Sequence, residues 1–326
     1  MSSKSILVAG GAGYIGSHTV KCLKRSGYVP VILDNLSTSS RQGLLGDVFY
    51  EGNINDAALL GEIHAQHQIA GAILFAGHAY VGESTSNPRK YYENNIGSGL
   101  KFIGALLDLG IDKLVFSSSC SIYGIQEKPI LDESLPKAPL SPYAETKEMF
   151  ERILHWYSHA HGLKSASLRY FNAAGADEEG ELGENHDPET HLIPLAILAA
   201  LGGQELQVFG TDYPTPDGTA IRDYIHVTDL GDAHRRALDY LFAGGETFAA
   251  NVGTGTGHSI LEVIHEVEKV SGKTVPHRFV PRRMGDAPAL VANPAYAKKL
   301  LGWEPQHSSL HNICKTAYAW LARKQS

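Results

Sequence analysis

Tyr143 and Lys147 stand one helical turn apart in the segment SPYAETK, and their side chains together offer acid/base chemistry. A tyrosine hydroxyl alone is a poor base at neutral pH, because its reference pKa is about 10. A lysine at i+4 changes that: its ammonium favours the phenolate, and the spacing puts both groups on one helix face. Ser141 and Pro142 read as an N-cap and a first-turn proline, which places Tyr143 at a helix start. The same spacing also suits an ordinary exposed helix face, so the surrounding elements must decide between the two.

A second group of residues could hold a phosphate. Gly10, Gly13 and Gly16 form G-x-x-G-x-x-G directly after a short apolar run. Glycines let the backbone turn sharply and approach a pyrophosphate, and the helix that follows offers free amides and a positive dipole end. Asp34 ends the next apolar run. An acid there accepts hydrogen bonds from an adenosine ribose and repels a 2′-phosphate. No arginine immediately follows it, so the pattern favours NAD over NADP. Asp34 also suits a plain turn or cap. Ser119 closes the run KLVFSSS, at the end of a strand where ligands of open α/β sheets bind.

The elements that must position these groups alternate. Strands are predicted at 5–9, 29–33, 47–51, 72–76, 113–118 and 165–170. Helices are predicted at 14–25, about 56–68, a long stretch near 88–109, and 143–161. Apolar strands alternating with helices mean a parallel sheet covered on both faces. The expected fold is therefore α/β, a Rossmann-type doubly wound parallel sheet. After Asn172 the texture becomes shorter and richer in turns, with an acidic, glycine-rich loop at 176–189. Two domains are expected: an NAD-binding domain at 1–171 and a smaller α/β substrate-binding lobe at 172–326. Some later segments are expected to return to the first domain.

Composition narrows the function classes. The chain has 326 residues, 43% of them hydrophobic, enough for a sizeable core. The net charge of −7 is spread along the chain with no basic run, which argues against nucleic acid or an anionic membrane as partner. Three well-separated cysteines give no disulfide framework or zinc-knuckle spacing and suggest a reducing compartment. No charged leader with a long apolar stretch opens the sequence, so a cytoplasmic location is expected. Among the 16 histidines, His155, His159 and His161 could share a helix face. No carboxylate pattern such as H-E-x-x-H accompanies them, and no metal is expected.

Glycine loop, strand-end serine and Tyr143/Lys147, in that order, resemble the extended short-chain dehydrogenase/reductase family. Further segments are similar to its UDP-glucose 4-epimerases. These are 75–77 (FAG), 81–84 (VGES), 91–95 (YYENN), 117–124 (SSSCSIYG), 141–147, 169–172 (RYFN) and 191–194 (HLIP). The segments 210–227 (GTDYPTPDGTAIRDYIHV) and 281–286 (PRRMGD) are more specific than any glycine loop. The similarity spans nearly the whole chain.

The resemblance implies reversible C4 epimerisation of UDP-glucose and UDP-galactose, by transient hydride transfer to tightly bound NAD through a 4-keto sugar. Tyr143 would be the catalytic base/acid, Lys147 its electrostatic partner and Ser119 the group holding the reacting hydroxyl. NAD would be held by Gly10, Gly13, Tyr14, Ile15, Gly16, Asp34, Asn35, Asn53, Ile54, Phe75, Ala76, Gly77, Asn94, Tyr143, Lys147 and Phe171. Besides Ser119 and Tyr143, the UDP-sugar would meet Asn172, His191, Leu192, Gln207, Phe209, Arg222, Arg283, Asp286 and Leu290. A homodimer is implied, through the helices at 88–109 and 143–161.

Two departures from the family pattern stand out. Asn53 replaces an aspartate that receives the adenine amino group, which implies weaker anchoring. Leu290 occupies a position where tyrosine narrows the pocket for the sugar's C2 substituent, which implies tolerance of N-acetylated UDP-sugars. Epimerases acting on UDP-GlcNAc/GalNAc, UDP-xylose/arabinose or UDP-glucuronate share the chemistry and remain alternatives, as does a non-catalytic NAD-binding sensor. Dehydratases and decarboxylases of the family carry acids just after the strand-end residue; here Cys120 and Ser121 stand in those positions.

Overall fold

The computed structural model describes residues 3–283 and 286–324. They form two compact units. The first is drawn from Met1–Gly124, Pro136–Arg169 and Gly231–Ala250; the second from Ile125–Leu135, Tyr170–Leu230 and Asn251–Ser326.

The first unit centres on a seven-stranded sheet. Its order across the sheet is Phe248–Val252, Lys164–Tyr170, Lys113–Ser119, Ile69–Leu74, Ser5–Ala9, Val29–Asp34 and Val48–Glu51. This is the doubly wound order, with the first strand in the middle and the chain running out to either side. Ile6, Leu7, Val8 and Ala9 are all buried, as a strand covered on both faces requires. Register aligns the strand ends: Ala9 lies beside Leu33 and Leu74, and Leu74 beside Phe116. The glycine loop, Asp34, the 75–77 segment and Ser119 therefore leave the sheet at one common edge.

Helices cover the sheet because their apolar faces have nowhere else to go. Phe102, Ile103 and Leu106 of helix Gly99–Asp108, with Phe150 and Leu154 of helix Pro142–His161, share one core with Leu74, Leu114 and Phe116. Each such side chain contributes about 1.5–3 kcal/mol by leaving water. The two helices cross closely at Gly99, where a Cβ would stand 2.4 Å from the Phe150 ring.

Two expected elements differ. The 72–76 strand is found at Ile69–Leu74, because Phe75 and Ala76 turn their amides onto the Ala9 carbonyl at 2.8 and 3.0 Å and end the ladder. The single helix expected at 88–109 is three pieces: Pro88–Tyr91, a π-helical stretch Tyr92–Ser98, and Gly99–Asp108. A wider π turn inside a helix often marks a functional site.

The second unit has a core of its own. Ile193 and Ile197, Val263, Ile264 and Val267, and Ile313 and Cys314 come from helices Leu192–Ala200, Ile260–Ser271 and Leu310–Arg323. Strand Ile221–His226 pairs with Gly257–Ser259, Ala289–Ala292 and Asn172–Ala174, and Ala289–Ala292 in turn with Ile130–Leu131. Leu206–Phe209 and His277–Val280 form a separate parallel pair. No described helix is long and apolar enough to cross a membrane.

Candidate active site

In the first unit Gly10 and Gly16 are required by their neighbours. Gly10 has φ +84, and a Cβ there would stand 2.5 Å from the Ala76 amide nitrogen; one on Gly16 would stand 2.3 Å from the Gly10 carbonyl. Helix Tyr14–Arg25 starts at Gly13 with no side-chain cap and no acid in its first turn. The helix start keeps its positive character for an anionic group. Tyr14 and Ile15 open this helix, and the Tyr14 ring meets His18 edge-on at 5.3 Å.

Asp34 lies at the same edge. Its carboxylate accepts from the Ala12 amide at 3.0 Å, the Leu36 amide at 2.9 Å and the Ser39 hydroxyl at 2.9 Å. It thus joins the glycine loop to the second strand end. Asn35 donates to the Asn53 side-chain carbonyl at 2.8 Å, and Ile54 is buried behind them. Glycine cradle, uncapped helix start and strand-end acid fit a dinucleotide such as NAD.

Tyr143 and Lys147 sit on helix Pro142–His161, which Ser141 caps by accepting from the Ala144 amide at 3.2 Å. Both are buried, as is Ser119. The Lys147 ammonium donates to the Ser117 carbonyl at 2.6 Å and lies 5.7 Å from the Tyr143 ring centroid and 4.9 Å from that of Phe116. The helix-face alternative fails, because this face is packed on the strand that ends in Ser119. Burial pushes the Lys147 pKa down to about 8, partly offset by the Glu151 carboxylate. Ser119 Oγ accepts from the Ser121 amide at 3.2 Å and its hydroxyl at 2.9 Å.

Several residues here, Glu151, Arg169 and Asn95 among them, had no role in the sequence reading. Glu151, one turn beyond Lys147, receives a two-pronged bond from Arg169, Nε at 2.9 Å and a terminal nitrogen at 2.7 Å. Ser118 and Lys137 also reach it, at 2.6 and 3.1 Å. Burial alone would raise its pKa; Arg169 outweighs that and holds it below the usual range. Asn95, in the π-helical stretch, donates to the His78 carbonyl at 3.0 Å and to Thr146 at 3.1 Å, and accepts from the His78 amide at 2.9 Å. Thr146 donates in turn to the Tyr143 carbonyl at 2.7 Å. Asn95 thereby ties the loop after Gly77 to the Tyr143 helix, and Asn94 donates to it at 3.0 Å. A half-buried side chain that bridges two segments leaves no periodic signal in either.

In the second unit, Arg222 and Leu290 are register partners on adjacent strands. The Arg222 guanidinium donates to the Ile221 and Ala287 carbonyls, both at 2.9 Å, and lies 3.6 Å from the Asp286 carboxylate. Gln207 and Phe209 share one face of strand Leu206–Phe209, while Leu206 and Val208 face the core. Arg283 lies over the Phe209 ring at 3.8 Å, so Phe209 is a capped surface platform and not a core residue. Met284 and Gly285 of the 281–286 segment lie outside the described residues.

Asn172 donates to the Asp223 carbonyl at 2.9 Å, and Phe171 beside it is buried. The Asp223 carboxylate, unremarked in the sequence, gathers the Thr254, Gly255 and Ala292 amides at 3.0–3.1 Å. Tyr213 was also missed. It is buried beneath Arg282, and burial and the Asp286 carboxylate push its phenol pKa up. His191 precedes Leu192 at the start of helix Leu192–Ala200. Burial would lower its pKa, but Glu184 and Glu189 outweigh that and push it up to about 10.

The comparisons with known proteins agree with this geometry. The model of the NAD dependent epimerase/dehydratase family matches residues 6–253. The UDP-glucose 4-epimerase of Rhizobium meliloti (strain 1021) is 49% identical over 325 residues, covering 99% of each chain. Among solved structures, UDP-glucose 4-epimerase from Brucella ovis in complex with NAD is 46% identical with a TM-score of 0.95, over 97% of this chain and 98% of that one. That from Stenotrophomonas maltophila, with bound NAD and formylated UDP-arabinopyranose, is 37% identical with a TM-score of 0.96, over 99% of both.

Proposed function

Since the chain belongs to the NAD dependent epimerase/dehydratase family, we propose that it is an isomerase interconverting UDP-glucose and UDP-galactose at C4. The observation that carries this reading is the buried set Ser119, Tyr143 and Lys147 with no acid following the strand end. The neighbouring carboxylate, Glu151, is locked on Arg169. A dehydratase needs further acids to eliminate water; this set offers Tyr143, one acid/base group for one hydroxyl.

The loop at Gly10–Gly16 with Asp34, Asn35, Asn53 and Asn94 holds NAD. Bound NAD supplies the acceptor and then the donor of the C4 hydrogen, so a 4-keto sugar forms and the cofactor is unchanged after each cycle. Tyr143 takes the proton of the C4 hydroxyl and later returns it. Lys147 stabilises the phenolate, because a cation held close in a dry setting favours the charged form of the phenol. Ser119 orients the reacting hydroxyl. Arg222 and Arg283 bind the diphosphate, where guanidinium forks suit phosphate oxygens. Asp286 takes the ribose, Asn172 flanks the diphosphate, and His191, Leu192, Gln207 and Phe209 bound the uracil.

The chain works as a cytoplasmic homodimer without nucleic acid or membrane partner. The exposed Trp156 and Leu100, on helices Pro142–His161 and Gly99–Asp108, support the dimer reading. Purified protein should turn over UDP-galactose without added NAD. Release of a stable keto product would make it a dehydratase, and absence of turnover with NAD bound would make it a sensor. Faster turnover of UDP-xylose or UDP-glucuronate would move the activity to another UDP-sugar.

A further inference from the structure

Within the second unit, Glu184, His186, Glu189 and His191 converge although the fold and the proposed chemistry do not require all four. Each offers one ligand atom, and the four atoms lie within 4.8 Å of one another. We propose that they form a binding site for one divalent cation of the zinc class, which pins the 184–191 loop.

The donor spacing fits. Bonds of about 2.1 Å in a tetrahedron place neighbouring donors about 3.4 Å apart. The contacts here bracket that value. Glu184 Oε1 is 2.9 Å from His186 Nδ1 and 2.8 Å from His191 Nδ1; Glu189 Oε1 is 2.9 Å from His191 Nδ1, and Glu189 Oε2 is 3.9 Å from His186 Nδ1. Two imidazoles with two carboxylates select zinc over magnesium or calcium, which prefer all-oxygen shells.

Charge points the same way. Glu184 is 5% exposed. Neither Glu184 nor Glu189 has a lysine or arginine partner among the described residues. Ligation takes both imidazoles as neutral donors, and in that state the set carries two negative charges, which one divalent cation balances. A buried carboxylate such as Glu184 is costly without such a balance.

The ligands are also held from behind, as metal ligands generally are. The Trp320 indole donates to the Glu184 carbonyl at 2.8 Å, and a Cβ on Gly183 would stand 2.4 Å from that ring. Lys324 reaches the Asn185 side chain at 2.8 Å. Glu189 Oε1 accepts the Thr190 and His191 amides at 2.7 and 2.8 Å. The loop ends at His191, the N-cap of helix Leu192–Ala200, so a bound cation fixes where that helix starts.

Metal content tests the proposal independently of turnover. The NAD-loaded full chain is stripped with chelator, dialysed against zinc, and assayed for metal by atomic emission. One zinc per chain is expected in the wild type, with at least a tenfold weaker Kd in His186→Ala and in the near-isosteric Glu189→Gln. Zinc at about 100 times Kd should raise Tm by about 5 °C in the wild type and not in either variant. Cobalt in the wild type should give the intense visible band of four-coordinate Co2+. Wild-type chain that retains no zinc above the level of a Glu189→Gln/His186→Ala double variant, or that gives only the weak six-coordinate cobalt spectrum, overturns the site. The cluster would then be balanced by protons on its histidines. Because the wild type carries the decisive readout, a variant that misfolds does not rescue the idea.

Discussion

Lys147→Met removes an ammonium that folding takes out of water. Lys147 is 7% exposed, and burial pushes its pKa from 10.5 down to about 8 against the opposing pull of Glu151. The folded value lies below the unfolded one. Between the two, the unfolded chain holds the extra proton, so this group makes stability rise with pH across that window. The whole window corresponds to about 3 kcal/mol, at about 1.4 kcal/mol per pKa unit. The part from pH 7 to 9.5 comes to about 2 kcal/mol. Urea denaturation of wild type and Lys147→Met, matched in NAD content, reads this as a difference in which the other titrating groups cancel. The wild type should gain about 2 kcal/mol on the variant from pH 7 to 9.5, and the gap should be flat between pH 6 and 7. Parallel stability curves across the alkaline range would refute the claim that Lys147 is a buried cation in the fold. Activity adds an independent check: turnover by the wild type should fall as the ammonium deprotonates, because the phenolate loses its partner.

Three further outcomes follow from particular contacts. Tyr143→Phe should lower kcat by about 10²–10⁴ while NAD stays bound, and near-normal turnover would remove Tyr143 from the proton transfer. Glu151→Gln leaves the Arg169 guanidinium buried without its carboxylate; urea denaturation should show a loss of about 3–5 kcal/mol, and a loss below about 1 kcal/mol would mean the pair is not structural. Leu290, register partner of Arg222, should leave room for a C2 acetamido group, so the wild type should interconvert UDP-GlcNAc and UDP-GalNAc. Leu290→Tyr should abolish that reaction while UDP-galactose is still turned over; a wild type inactive on N-acetylated sugars sinks the idea.

The sequence alone determined what short-range geometry controls. Strand Ser5–Ala9 and helix Tyr14–Arg25 fall where apolar runs and the glycine loop place them, because φ freedom at Gly10 and strand burial are local properties. Helix Pro142–His161 starts where Ser141 and Pro142 say it must, which puts Tyr143 and Lys147 on one face. The segments that resemble the UDP-glucose 4-epimerases also lay in plain view. The tertiary structure decided which groups meet across long stretches of chain. Arg169 neutralises Glu151 from a neighbouring strand, Asn95 bridges His78 to Thr146, and Asp223 gathers amides from two later segments. Even the short 184–191 loop hid its convergence. Its four donors follow no helical or strand period, and they face one another only once the chain has turned back under Trp320. A side chain's partners are set by where the backbone goes, and periodicity in one segment carries no record of the segment folded against it.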